Sequence, residues 1–130
     1  MSTKRPQVRP ARSRPRRRIG AADTLALAVA AVQERKGVEP LVIDLRELSD
    51  AADFFLVVSG TSDTHVRAIA EHVVEALSLG GVRAYNVEGQ RAGRWVCLDF
   101  VDVVVHVFHP TLREFYQLEL LWGDAPQHRP

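Results

Sequence analysis

Apolar and polar positions alternate along this chain in eight segments, and the densest signal lies between residues 94 and 122, RWVCLDFVDVVVHVFHPTLREFYQLELLW. From Arg94 to Phe100 the pattern has period two, the signature of a strand. Trp95, Cys97 and Asp99 fall on one face, and Val96, Leu98 and Phe100 on the other. Val103 to Phe108 is a near-continuous apolar run, as expected of a strand buried on both faces. Asp99 to Asp102 reads as the turn between them. Thr111, with Glu114 three residues later, reads as a capping box opening a helix. Leu112, Phe115, Tyr116, Leu118, Leu121 and Trp122 give that helix a broad apolar stripe.

The preceding chain supplies five further elements. A helix is expected over Ala22 to Lys36, closed by Arg35, Lys36 and a glycine at position 37. A short strand follows from Leu41 to Leu45. Phe54 to Ser59, FFLVVS, reads as a buried strand from its β-branched and aromatic content. Thr61 or Ser62 caps a helix over Asp63 to Leu79, whose Val66, Ile69, Ala70, Val73, Ala76 and Leu77 share one face. Gly80 and Gly81 end it. Val82 to Val87 reads as a short strand and Gly89 to Gly93 as a loop. The order α-β-β-α-β-β-β-α predicts an α/β (α+β-like) domain with a mixed sheet of about five strands covered by helices. There is no internal repeat.

Charge changes the picture at the N-terminus. Residues 1–19 hold 8 of the 17 Lys and Arg and no acid, leaving 9 basic and 16 acidic residues over 20–130, a formal charge of −7. The first 19 residues have too few large apolar side chains to offset the entropy of ordering and are expected to be a disordered basic arm. Its Arg14, Arg16, Arg17 and Arg18 could contact RNA phosphates in a salt-dependent way, or the arm could be a dispensable solvated tail. The domain is expected over 20–124, with a flexible tail at 125–130. Hydrophobic residues make up 46% of the chain, enough for one core.

Cys97 is the single cysteine, so no intrachain disulfide can form, which fits a reducing cytoplasm. In an apolar strand it reads as inert packing rather than a nucleophile. Val101 to Phe108 is too short to span a membrane, and Asp102 interrupts it. The arginines at 16–18 before an apolar stretch superficially resemble a secretory leader. Asp23 and the helical spacing of Leu25, Ala28, Val29 and Val32 favour the first helix of the domain instead.

Candidate chemistry is sparse. Gly60, Thr61, Ser62 and Asp63 lie between a strand and a helix N-terminus, where an anion can sit, but lack the spacing and lysine of a P-loop. A turn plus a cap explains all four. Asp99 and Asp102 could be a metal pair, yet a Mg²⁺ site calls for more oxygen ligands, and the turn reading is preferred. His65, His72, His106 and His109 match no metal-binding spacing. His65 and His72 read as helix-surface polarity, and His106 as a hydrogen-bonded core histidine. Trp95 opens a strand beside a loop. It is either a half-exposed binding anchor or a core side chain under the last helix.

Several spaced segments together resemble the ribosomal silencing factor family, also called Iojap-related, over roughly residues 22–124. They are Asp53-Phe54-Phe55; Ser59 to Ser62 with His65, Val66, Ile69 and Ala70; and Val87-Glu88-Gly89. The most specific are Trp95 with Asp99, Asp102 and His106, then Phe115, Tyr116, Leu118, Glu119, Leu121 and Trp122. Val101 departs from the pattern, since members often carry glycine there. The resemblance implies a nucleotidyltransferase-like topology without the catalytic carboxylates or a cofactor. It implies a translational repressor that binds the large ribosomal subunit through its universal protein number fourteen and sterically blocks association with the small subunit. It also implies a homodimer in isolation. Carried over by position, Trp95, Asp99, Asp102, Tyr116 and Glu119 are the expected partner-binding residues. Trp95→Glu is expected to abolish binding and leave the fold intact. Two alternatives stand beside this reading: a Mg-dependent nucleotidyltransferase, and an RNA-binding module driven by the basic arm.

Overall fold

The computed structural model describes residues 19–116 and 123–130. Its centre is the pair of strands with the fewest polar positions. β2 (Phe54–Ser59) and β5 (Val103–Phe108) run parallel in register from Phe54 opposite Val103 to Ser59 opposite Phe108, and every residue of both is buried. A parallel pair cannot be joined by a tight turn, so the intervening chain must cross over a sheet face. That crossover contains α2 (Asp63–Leu79), β3 (Asn86–Glu88) and β4 (Trp95–Asp99). α1 (Ala21–Glu34) and β1 (Val38–Asp44) precede β2, and α3 (Pro110–Tyr116) and β6 (Gln127–His128) follow β5. The six-stranded sheet has the order β3-β4-β5-β2-β1-β6, with its other described pairings antiparallel.

The strands partition their side chains between two cores, as period two requires. Phe54, Leu56, Val58, Val96, Leu98, Val103, Val105 and Val107 face α1 and α2, meeting Ala28, Val32, Val66, Ile69, Val73 and Leu77. Phe55, Val57, Trp95, Cys97, Val104 and Phe108 face the opposite way, with Ile43, Leu45 and Leu112. The predicted faces of β4 are therefore the observed ones.

Several boundaries differ, each for a local reason. The left-handed residue closing α1 is Lys36, at φ 57°, not the following glycine. Lys36 N–H donates to Gln33 O and the Gly37 N–H to Val32 O, a Schellman closure. Gly37 then lies so near the Val58 side chain that a Cβ would stand 2.6 Å from it. β1 begins at Val38 and carries an irregularity before Leu41, where Glu39 takes φ 50°. The strand expected over Val82 to Val87 starts only at Asn86, because Val82 is buried at the helix end, its N–H bonded to Leu77 O.

α3 starts at Pro110 rather than Thr111, so Thr111 is not its cap. Proline suits the first helical position, where its missing N–H costs nothing. His109 precedes it, accepting from Leu112 and Arg113 N–H at its carbonyl and from Thr111 N–H at Nδ1. The expected continuation through Leu118, Leu121 and Trp122 lies outside the described residues. Where a flexible tail was expected at 125–130, Gln127 and His128 pair with Ile43 and Val42 as a sixth strand, and Ala125 is buried in the second core. At the other end Ile19, assigned to the arm, packs against the first core.

Candidate functional site

The residues singled out by spacing converge on the β4–β5 hairpin and the sheet face beneath α3. Trp95 stands opposite Phe108 across the antiparallel ladder, and Cys97 opposite His106. The four side chains share one face. The Trp95 indole N–H donates to His106 Nδ1 at 3.1 Å. Trp95 and Phe108 ring centroids are 4.8 Å apart, and the Phe55 ring meets His106 edge-on at 4.6 Å. Trp95 is 6% exposed, which decides for the core alternative and against the half-exposed anchor. With Nδ1 accepting, the neutral imidazole carries its proton on Nε2. Burial pushes the His106 pKa down to about 3, so the ring is neutral at physiological pH. Burial also pushes the Cys97 thiol up to about 12, helped by Asp99 and Glu88. A thiol so placed is packing, not a nucleophile.

The turn that closes the hairpin is built by Asp99. Its Oδ1 accepts the Val101 N–H at 2.8 Å, and Asp102 N–H donates to Phe100 O. Val101, the residue enclosed by that two-residue closure, takes φ 75°. This is the left-handed region, costly for a β-branched side chain and free for glycine. The position where family members often carry glycine thus has the backbone that glycine prefers, and here valine bears it. Asp102 turns its carbonyl to the N–H groups of both Asp53 and Phe54, at 2.8 and 3.1 Å. Asp99 and Asp102 are 2% and 3% exposed. They organise the turn and its junction with β2.

Gly89 fixes the other side of β4. At φ 82°, a Cβ on it would fall 2.0 Å from the Trp95 carbonyl oxygen, so this close approach requires glycine. Arg113, 9% exposed, reaches from α3 to Val38 O and Ser59 Oγ at 3.2 and 3.1 Å. Sequence reasoning passed over this arginine, because a charge on a short helix ordinarily reads as solvated.

At the GTSD segment the helix N-terminus is capped by Ser62. Ser62 Oγ accepts His65 N–H, Ser62 O accepts Val66 N–H, and Thr61 N–H donates to His65 Nδ1 at 2.9 Å. His65 Nε2 then donates to Arg35 O at 2.8 Å, and His72 Nε2 meets Glu34 Oε1 at 2.6 Å. The two histidines read as surface polarity are therefore ties between α2 and the end of α1. Among the described residues no three His, Cys, Asp or Glu side chains are grouped to hold a metal ion. No described helix is long and apolar enough to cross a membrane.

Of the expected partner-binding set, Trp95, Asp99 and Asp102 come together as buried supports of one hairpin. Tyr116 ends the described part of α3. Glu119, and Arg14, Arg16, Arg17 and Arg18, lie outside the described residues.

Comparison with known proteins bears on family and fold. The model of a family described as "Ribosomal silencing factor during starvation" matches residues 19–130. The chain is 42% identical over 104 residues to the ribosomal silencing factor RsfS of Halalkalibacterium halodurans, covering 80% of this chain and 89% of that one. It is 42% identical over 102 residues to RsfS of Bacillus subtilis, covering 78% and 86%. A crystal structure of a Chromobacterium violaceum protein superposes with a TM-score of 0.79 at 34% identity, covering 81% of this chain and 88% of that one. With the family model matching residues 19–130, relatives 42% identical and a crystal structure of the same fold, the chain belongs to the ribosomal silencing factor family.

Proposed function

We propose that this chain represses translation by binding the large ribosomal subunit at its universal protein number fourteen and standing where the small subunit must dock. The reading rests chiefly on one observation: the family match runs through the segment that builds the Trp95–Asp102 hairpin. The charge of the body supports it. A formal −7 over residues 20–130 suits a basic ribosomal protein and speeds encounter by electrostatic steering. Trp95, Asp99 and Asp102 act from within, holding the hairpin and the base of α3 in shape. Tyr116 and Glu119 make the contact. The mode of action is steric, without catalysis or cofactor, in the cytoplasm. The basic arm adds RNA contacts.

Sucrose-gradient sedimentation with separated subunits tests this. The protein should travel with large subunits alone, and saturating amounts should keep the two subunits apart when magnesium is raised. Reassociation at full occupancy would refute the steric role. Glu119→Lys should weaken binding at least about tenfold, a charge reversal facing a basic partner. Self-association of the free protein, implied by the family resemblance, is read from its own sedimentation.

A further inference from the structure

We propose that the basic segment before α1, residues 1–18, docks on an acidic groove between α2 and β3 of its own chain, so that the arm is held until a polyanion competes for it. The groove, about 380 Å³, is lined by Glu71, Val74, Glu75 and Leu79 of α2 with Val87 of β3. Leu79, 87% exposed, gives the groove an apolar side chain beside its carboxylates. Glu71 and Glu75 stand one turn apart on the exposed side of α2, and like charges at this spacing repel. Neither carboxylate has an ion-pair partner among the described residues.

The surroundings reinforce the sign. At this end of the helix pair α1 adds Asp23, and α2 carries Arg67 as its single Lys or Arg. Arg67 is turned to the carbonyls of Arg91 and Ala92. The C-terminal end of α2 adds the negative pole of its dipole beside Leu79. A cationic segment with apolar spacers fits such a groove. Residues 1–18 provide eight basic side chains with Met1, Val8 and several prolines between them.

The arm is tethered in the right place. α1 and α2 run antiparallel, since Arg35 and Glu34 meet His65 and His72, while Leu27 lies against Gly80. The start of α1 therefore lies toward the end of α2, and the described chain begins there at Ile19. Eighteen residues can extend about 60 Å, and residues 71–79 span about 12 Å, so reach is no obstacle. A tether of this length gives an effective concentration of order mM, enough for a weak, salt-sensitive contact to be occupied.

A nitroxide at Ser13→Cys tests the contact in the full chain, since buried Cys97 resists labelling under native conditions. At low salt the amide signals of Val74, Leu79 and Val87 should lose about half their intensity or more. About 0.5 M NaCl should restore them, and so should Glu71→Lys with Glu75→Lys. In the same double variant an RNA oligonucleotide should bind about tenfold more tightly. A matched reversal at Glu47 and Asp124, across the sheet, should change it far less. Three results would overturn the proposal: broadening spread evenly over the domain, broadening seen only when labelled and unlabelled chains are mixed, or equal RNA gains from both reversals.

Discussion

Trp95 gives its indole proton to His106 Nδ1, and this 3.1 Å bond joins neighbouring strands beneath the base of α3. The pair explains how the indole N–H and one imidazole nitrogen can be interior. The indole N–H and the imidazole Nδ1 satisfy one another, while the protonated Nε2 of His106 is buried without a hydrogen-bond partner among the described residues. Trp95→Phe removes the donor and leaves the imidazole acceptor unmet, at a cost of about 2–4 kcal/mol together with the lost ring volume. Urea unfolding followed by circular dichroism measures it. Trp95→Glu places a carboxylate in the same apolar layer and should unfold the domain, contrary to the expectation drawn from sequence. A native spectrum for that variant would show the site to be more open than described.

The same pair makes stability depend on pH. The folded His106 pKa is about 3, against about 6.5 unfolded. Between these values the unfolded chain binds the extra proton, so stability is complete above about pH 6.5 and falls as pH drops toward 3. The slope from this group is at most about 1.4 kcal/mol per pH unit. His106→Gln should flatten the decline between pH 6.5 and 4.5 relative to the parent chain. Urea midpoints across that range provide the comparison, and parallel declines would remove His106 as a cause.

Val101 reverses an ordinary order of preference. At most sites alanine is more stable than glycine, by about 0.5–1 kcal/mol in regular structure. At φ 75° glycine relieves strain that alanine keeps. Val101→Gly should therefore be more stable than Val101→Ala by about 1 kcal/mol, although both delete a buried side chain. Thermal midpoints of the two variants decide it.

Cys97 should be silent to thiol reagents. Its thiolate is rare at neutral pH, with the pKa near 12, and the side chain is 3% exposed. Reaction with a disulfide reagent should be slower than with a free thiol by about three orders of magnitude or more, and become fast in denaturant. Rapid labelling of the native protein would mean that the sheet face opens readily.

Much of the fold was legible because it is written in local periods. The two faces of β4, the double burial of β5, the Ser62 cap and the helical stripe of α2 all follow from spacing of 2.0 or 3.6 residues. Other features depend on distant partners. No local pattern announces that β2 and β5 run parallel, and a two-residue strand such as β6 is too short to repeat a period. Periodicity assigned Trp95 to a face but could not say whether that face is covered. The buried Arg113 was missed because its acceptors, Val38 O and Ser59 Oγ, lie 75 and 54 positions away.

The parallel pairing of β2 with β5 also governs when this protein can exist. Phe54 waits for Val103, which is made 49 positions later. At translation rates of about 5–20 residues per second, the first of these hydrophobic segments is complete roughly 2–10 s before its neighbour emerges. A chain that stops short of β5 therefore lacks residues of both cores. Synthesis must pass residue 108 before the first core can close, and must reach Ala125 before the second is complete.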